Sequence, residues 1–468
     1  MDKKSASPSI LKNMGYSSIA QALGRLMRFF MASAALKFYG EAAWGQVAFG
    51  LTVVSFASFF LDMGISTLAS VEKPADSTWD RIFFVCLGWI RLAVAMLGVV
   101  LAWFILPYIG FEGVRVLCIY LIFLIVRPFS LDWLFQRKGY SGLIPIIQAV
   151  RQGVILAMVL AKWLPTIESL VVVDLVTEGL AALATWWVGP RRHFSLHLPQ
   201  REEWPAIRNM YHLASPLFLG STLILIHQNM DIIVIRFILG LKDVGIYDYS
   251  ARFVQFAFIV GAGLSVPLRR QLANLGEDGV KVAQGLLRAS HKVLGIVSAA
   301  FLLFAVYGAP IIFRILVRAE SIADALQITR VLSIFLVFSF LSIPLSEWLI
   351  TRQSKIQYLK LAGLAAVVNL SLNLSLVPWL GVWGAAVAKV GSELAILSFL
   401  LTLSNVNIRR ETLRLGLGQM VHAPAIIWVL SGHEISWEFG VIHVLAFIGV
   451  TYRLGYYQRA DLRLLRSY

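Results

Sequence analysis

Apolar residues along the chain fall in long, nearly unbroken stretches separated by short polar gaps. This is neither the period-two alternation of a half-buried strand nor the single apolar stripe of a soluble helix. A helix needs about 20 apolar residues to cross a bilayer, whereas a spanning barrel strand alternates over about ten. Twelve stretches meet the helical requirement: 17–39, 43–71, 82–108, 114–136, 141–164, 168–189, 210–239, 244–272, 289–317, 325–351, 356–379 and 381–404. Two weaker ones follow at 412–431 and 437–455, interrupted by Pro424 and Gly432. These two either cross the membrane or form a re-entrant or interfacial pair. The expected fold class is an all-α polytopic membrane protein with 12–14 transmembrane helices. Composition agrees, since 58% of the 468 residues are hydrophobic and 14% charged. Soluble domains sit nearer 45–50% and about 25%.

Charge in the gaps sets the orientation, because short cytoplasmic loops are enriched in Lys and Arg. With the N-terminus in the cytoplasm, 26 basic residues fall in cytoplasmic segments. Only Lys37, Arg115, Lys162, Lys242, Arg314 and Arg318 fall on the opposite side. The expected location is a bacterial inner membrane, multi-pass, with both termini cytoplasmic. Lys3 and Lys4 followed by a polar stretch do not read as a cleavable signal. The net charge of +15 comes largely from these loops. The expected surroundings are therefore membrane lipids, and nucleic acid is not an expected partner. Cys86 and Cys118 lie inside apolar runs and read as small core residues, with no disulfide framework.

The chain looks duplicated, with six stretches on each side of a gap at 190–209. Phe38-Tyr39-Gly40 with Trp44 resembles Asp243-Val244-Gly245 with Tyr249, an offset of 205. Pro165 followed by Asp174 and Glu178 resembles Pro378 followed by Lys389 and Glu393, the charged pairs being offset by 215. Six spans per half keep both halves in one direction, which predicts two six-helix lobes in a parallel repeat around a central cavity. The expected divisions are an N-terminal lobe (1–189), a cytoplasmic linker (190–209), a C-terminal lobe (210–404), and two extra helices with a basic tail (405–468).

Charges inside the spans carry the functional signal, since each costs about 2.5–3.5 kcal/mol at a helix centre. Arg25 and Arg28 share a face of the first helix, with Gln21 one turn earlier. Arg91, Arg127 and Arg151 sit singly in later spans of the first half. Together these cations suggest a wall that receives a phosphate group. The alternative is structural pairing of Arg25 and Arg28 with Asp62 or Asp174. Asp231 has His227 one turn before it, a carboxylate–imidazole pair able to exchange a proton. Its alternative is satisfaction by Arg252 or backbone. Asp174–Glu178 and Lys389–Glu393, each spaced i, i+4, are either structural pairs or further ion candidates. Asp62 joins this coupling set. Arg236 and Arg252 are near enough to helix ends to snorkel.

The sequence holds no GxxxxGK[ST] loop, no metal-ligand spacing and no G-x-S-x-G elbow. The expectation is transport rather than catalysis, without a cofactor or metal, with proton or sodium coupling left open. Leu36-Lys37-Phe38-Tyr39-Gly40 through Trp44 and Leu61-Asp62-Met63-Gly64-Ile65 resemble the start of Wzx-type polysaccharide flippases. So do Asp231-Ile232-Ile233-Val234, Leu239-Gly240, Val244-Gly245-Ile246-Tyr247 and Pro267, then Asn369, Asn373, Pro378, Gly381, Gly384 and Ala385-Ala386. These flippases belong to the multidrug/oligosaccharidyl-lipid/polysaccharide exporter superfamily. The resemblance implies an oligosaccharide on a polyprenyl pyrophosphate as substrate, moved between leaflets by alternating access, for surface polysaccharide such as O-antigen, lipopolysaccharide or exopolysaccharide. It also implies partners in the same pathway, a polysaccharide polymerase and glycosyltransferases. The lipid II flippase branch carries a Ser-Gly-Arg motif on the first helix; here Ala22-Leu23-Gly24-Arg25 lacks the Ser. A multidrug antiporter usually takes cations, which arginines would repel. A membrane glycosyltransferase or polymerase usually carries a large extracytoplasmic loop, and the sequence predicts none.

Overall fold

The apolar stretches form helices in a computed structural model that describes residues 8–71, 82–83, 85–109, 112–137, 143–188, 200–275, 280–352 and 355–403, with isolated positions between 443 and 450. Among the described residues every regular element is helical and no strand occurs. The weak stretches at 412–431 and 437–455 lie outside the described residues but for those isolated positions. Part of the expected linker, 190–199, lies outside them as well.

In chain order the main helices are α1 (Pro8–Tyr39), α2 (Glu41–Asp62), α3 (Ile65–Val71), α4 (Arg91–Ile105), α5 (Val114–Leu121), α6 (Phe123–Val126), α7 (Asp132–Arg137), α8 (Leu143–Leu160) and α9 (Ile167–Val188). The second half has α10 (Trp204–Ile238), α11 (Leu241–Asn274), α12 (Val280–Leu303), α13 (Ala309–Leu316), α14 (Ile322–Arg352), α15 (Lys355–Leu380) and α16 (Val382–Leu403). Nine of the described helical segments are long and apolar enough to cross a membrane by length and composition. The stretches expected at 17–39, 114–136 and 168–189 are helical too but fall outside that set.

The 114–136 stretch differs from the single helix expected. A 3₁₀ turn at Arg127–Phe129 and extended Ser130 divide it, with Pro128 at the break. Proline removes a backbone donor and clashes with the preceding turn. Broken backbone at membrane depth is tolerated where protein satisfies its polar groups. Here the Trp186 indole donates to Phe129 O at 2.5 Å and Thr185 Oγ1 accepts from the Leu131 N–H at 3.4 Å. Longer helices absorb Pro216, Pro267, Pro344 and Pro378 without ending.

The chain divides into two compact units, residues 1–225 with 240–245, and residues 226–239 with 246–468. In the first unit, Ile65, Leu68, Phe83, Leu131, Phe135, Ile207 and Met210 form one apolar core. In the second, Leu302, Val337, Leu341, Leu345, Leu361, Ile396 and Leu400 form another.

The repeat is visible in the helix starts. α2 follows Gly40 (φ 93°) and α11 follows Gly240 (φ 120°). Five residues on, Gly45 and Gly245 lie where the two helix N-termini meet within the first unit. A Cβ on Gly45 would lie 1.8 Å from Leu241 O, and one on Gly245 would lie 2.1 Å from Glu41 O. This reciprocal contact aligns Gly40 with Gly240 and corrects the expected offset of 205 to 200. The sequence pairs Gly40 with Gly245, whereas the close backbone approach pairs Gly245 with Gly45. At the ends of the halves, α9 and α16 start 215 residues apart, as expected.

Candidate functional site

The in-span charges of the first unit are met by their neighbours to different degrees. Asp62 ends α2, and Met63 (φ 46°) and Gly64 (φ 79°) turn the chain into α3. The Asp62 carboxylate accepts from Ser66 Oγ at 2.5 Å and from the Ser66 N–H at 3.3 Å, filling open donors at the start of α3. Arg91, at the start of α4, lies 2.6 Å from Asp62 Oδ1.

Arg151 on α8 faces both acids of α9. Its Nη1 lies 2.9 Å from Asp174 Oδ1 and 2.9 Å from Glu178 Oε2, while its Nε donates to Gln148 Oε1 at 3.1 Å. Asp174 and Glu178, one turn apart, share one guanidinium. Arg127 is exposed at the 3₁₀ turn. It lines a small cavity with Ser130, Asp132, Gln148, Glu178 and Thr185.

Arg25 is different. It sits half-buried near the middle of α1, which packs along α8 with Gly24 against Ala149. Asp62 and Asp174, the acids a pairing account would assign to it, are engaged by Arg91 and Arg151. No carboxylate among the described residues forms an ion pair with Arg25. Arg28 is exposed one turn on, its Nε donating to Gly24 O at 3.3 Å, and Gln21 is exposed one turn before.

The second unit gathers Asp231, His227, Lys389 and Glu393 into one buried cluster. Lys389 does not turn to Glu393 along its own helix. It crosses to α10, where its Nζ donates to His227 O at 3.0 Å, Gln228 O at 2.9 Å and Asp231 Oδ2 at 3.3 Å. Tyr247 on α11 donates its O–H to the same Asp231 oxygen. Glu393 Oε2 lies 3.8 Å from His227 Nε2, an ion pair when the imidazole is protonated. Asp231 is 3% exposed, and its Oδ1 has no hydrogen-bond partner; nor has His227 Nδ1. Below the cluster, Ser392 Oγ donates to Lys389 O at 2.9 Å, and Asn369 and Asn373 extend the polar network across α15.

The structure assigns Arg252 away from Asp231. Its Nε donates to Asp248 Oδ2 at 2.5 Å, an i, i+4 pair on α11. Three further features escaped sequence reasoning. Arg330 on α14 is a half-buried in-span cation whose Nε has no partner. Its position inside an apolar stretch was the available signal. Tyr247 was visible only as a turn-motif residue. Arg269 and Glu347 form a two-pronged pair at 2.6 and 2.9 Å, between residues far apart in the chain.

Chemically, the first unit offers one unneutralised half-buried guanidinium, and the second a network of acids, an amine and an imidazole. The chain is similar to solved exporters of one superfamily. Against a lipid II flippase, MurJ, in an inward closed conformation, the TM-score is 0.75 at 13% identity, covering 95% of this chain and 99% of that one. Against an inward-facing multidrug resistance MATE family transporter of the MOP superfamily it is 0.61 at 14%, covering 86% and 99%. A MOP superfamily transporter from Pyrococcus furiosus Vc1, described as having a binding pocket of reverse polarity, gives 0.56 at 14%, covering 89% and 100%. These likenesses show the fold, the all-helical two-lobe arrangement of these transporters. No curated protein sequence matches the chain. The family described as "Polysaccharide biosynthesis protein" matches residues 38–317, more than half of the length, and the chain belongs to that family.

Proposed function

We propose that the chain is a flippase that moves a polyprenyl-pyrophosphate-linked oligosaccharide across the bacterial inner membrane by alternating access, for surface polysaccharide synthesis. The family and the exporter fold support a flippase or exporter. The observation that carries the substrate is Arg25. A guanidinium at mid-helix is tolerated beside an acid, water or a bound anion. Its candidate acids are already held by Arg91 and Arg151. A pyrophosphate supplies the missing charge and matches the planar fork. Arg28 and Gln21 on the same face extend that surface, and Arg127 and Arg330 are further cations without an ion pair among the described residues. Arg91 and Arg151 hold the frame through carboxylates.

Arg25→Ala abolishes glycan export while membrane abundance stays near wild type, and Arg25→Lys, which keeps charge without the fork, exports partially. If Arg25 instead paired a carboxylate structurally, Arg25→Ala would lower abundance and be rescued by neutralising Asp62 or Asp174. Normal export by Arg25→Ala overturns the assignment.

The basic loops support a topology with both termini and the 190–209 segment in the cytoplasm. A periplasm-active reporter fused at residue 200 stays silent; activity there overturns the orientation. Coupling to an ion gradient falls to the His227–Asp231–Lys389–Glu393 cluster, where a proton on His227 changes the net charge of a buried network.

A further inference from the structure

The Lys389 ammonium occupies an unusual place. Three oxygens converge on it: two backbone carbonyls from consecutive residues of α10 and one carboxylate oxygen of Asp231, at 2.9 to 3.3 Å. Its three N–H donors meet three acceptors. Carbonyl and carboxylate oxygens are the ligand set that hard metal cations take. Transporters commonly hold an alkali ion on carbonyls of unwound helix beside the substrate; here the two carbonyls lie within continuous α10 and turn a second lone pair to the cation. The amine reaches them from α16, on a residue that is 8% exposed. A fourth oxygen, Asp231 Oδ1, is buried and unpartnered. The groups that face this centre are His227 and Asp231 from α10, Tyr247 from α11, and Lys389 and Glu393 from α16.

We propose that Lys389 is a tethered cation occupying an alkali-metal site, so that the cluster works without sodium and loss of the amine opens a sodium site on Asp231 and the His227 and Gln228 carbonyls. Electrostatics support it. With His227 neutral, Asp231 and Glu393 carry two negative charges against one ammonium. A free monovalent ion beside Lys389 would face a like charge at contact distance in a low dielectric. Removing the ammonium leaves both carboxylates uncompensated and three oxygens converging on the place it held. The repeat also marks Lys389 as a local change of sign. The position 215 residues earlier is Asp174, whose carboxylate needs a cation from another helix. The proposal rests on the coupling role given to this cluster above.

The test uses the purified full chain in detergent. Thermal unfolding and ²²Na⁺ binding are measured in NaCl against choline chloride at constant ionic strength. The wild type shows no sodium-specific shift in Tm and no saturable ²²Na⁺ binding. Lys389→Ala gains both, and Lys389→Ala/Asp231→Asn loses them again. A sodium-specific shift in the wild type that Asp231→Asn removes overturns the proposal. So does a folded Lys389→Ala without a sodium response. If Lys389→Ala accumulates poorly, recovery on purification in sodium rather than choline supports the site, and equal loss in both salts overturns it. None of these measurements involves a glycan, so they fail or succeed independently of the flippase reading.

Discussion

Helices α9 and α16 are the same element of the two halves, yet they hold their buried charges in different ways. On α9 both positions are acids, and one guanidinium from α8 engages both at 2.9 Å. On α16 the first position is an amine that turns away from its own helix to α10, and the second faces an imidazole at 3.8 Å. Each cluster carries a formal charge of about minus one with His227 neutral. In the first, the contacts are short and centred on a group that stays protonated. In the second, a titratable imidazole remains, while each cluster keeps one buried carboxylate oxygen without a hydrogen bond, Glu178 Oε2 and Asp231 Oδ1. One framework thus supplies a clamp in the first half and an adjustable network in the second. At the other end of the repeat the halves do the same thing, since Gly45 and Gly245 serve one crossing reciprocally.

The contrast breaks most visibly at Arg151. Removing one partner of a buried ion pair typically costs about 3–5 kcal/mol, because the other charge is stranded. Arg151→Ala strands two carboxylates, so membrane abundance falls sharply. Adding Asp174→Asn with Glu178→Gln restores it. Wild-type abundance of Arg151→Ala would mean that Arg151 does not clamp α9.

Next in size come the glycines. Gly45→Ala places a methyl 1.8 Å from a backbone oxygen, and Gly245→Ala places one at 2.1 Å. Backbone cannot rotate aside as a flexible side chain does. Each substitution costs about 1–3 kcal/mol by overpacking. The double variant costs less than the sum, because one separation of the helices relieves both clashes. Thermal unfolding of the three variants checks this, and strict additivity would mean the two glycines do not share a contact. The smallest effect on abundance belongs to Arg25→Ala, since that guanidinium strands no described acid.

Much of this was legible in the chain. The long apolar stretches and the 215-residue offset of α9 and α16 are written in residue type and spacing. Partner choice was not. Asp62 and Asp174 were candidates for Arg25, but the turn at Met63-Gly64 and the packing of α8 on α9 bring them to Arg91 and Arg151 instead. Lys389 and Glu393 fit an i, i+4 pair, yet three oxygens on α10 outweigh one carboxylate on the same helix. Cross-helix contacts of this kind depend on tertiary geometry that local periodicity does not encode. The first-hairpin offset differs because each half has two glycines five residues apart, Gly40 and Gly45, Gly240 and Gly245, and residue type alone does not say which pair corresponds.

Arg25 is proposed to receive the pyrophosphate of a lipid-linked glycan. The most direct test is translocation in liposomes reconstituted with equal amounts of folded wild type, Arg25→Lys and Arg25→Ala. A polyprenyl-pyrophosphate oligosaccharide is followed by its accessibility from one leaflet. The wild type moves it, Arg25→Lys moves it more slowly, and Arg25→Ala leaves it at the protein-free rate. Movement by Arg25→Ala at the wild-type rate would contradict the claim.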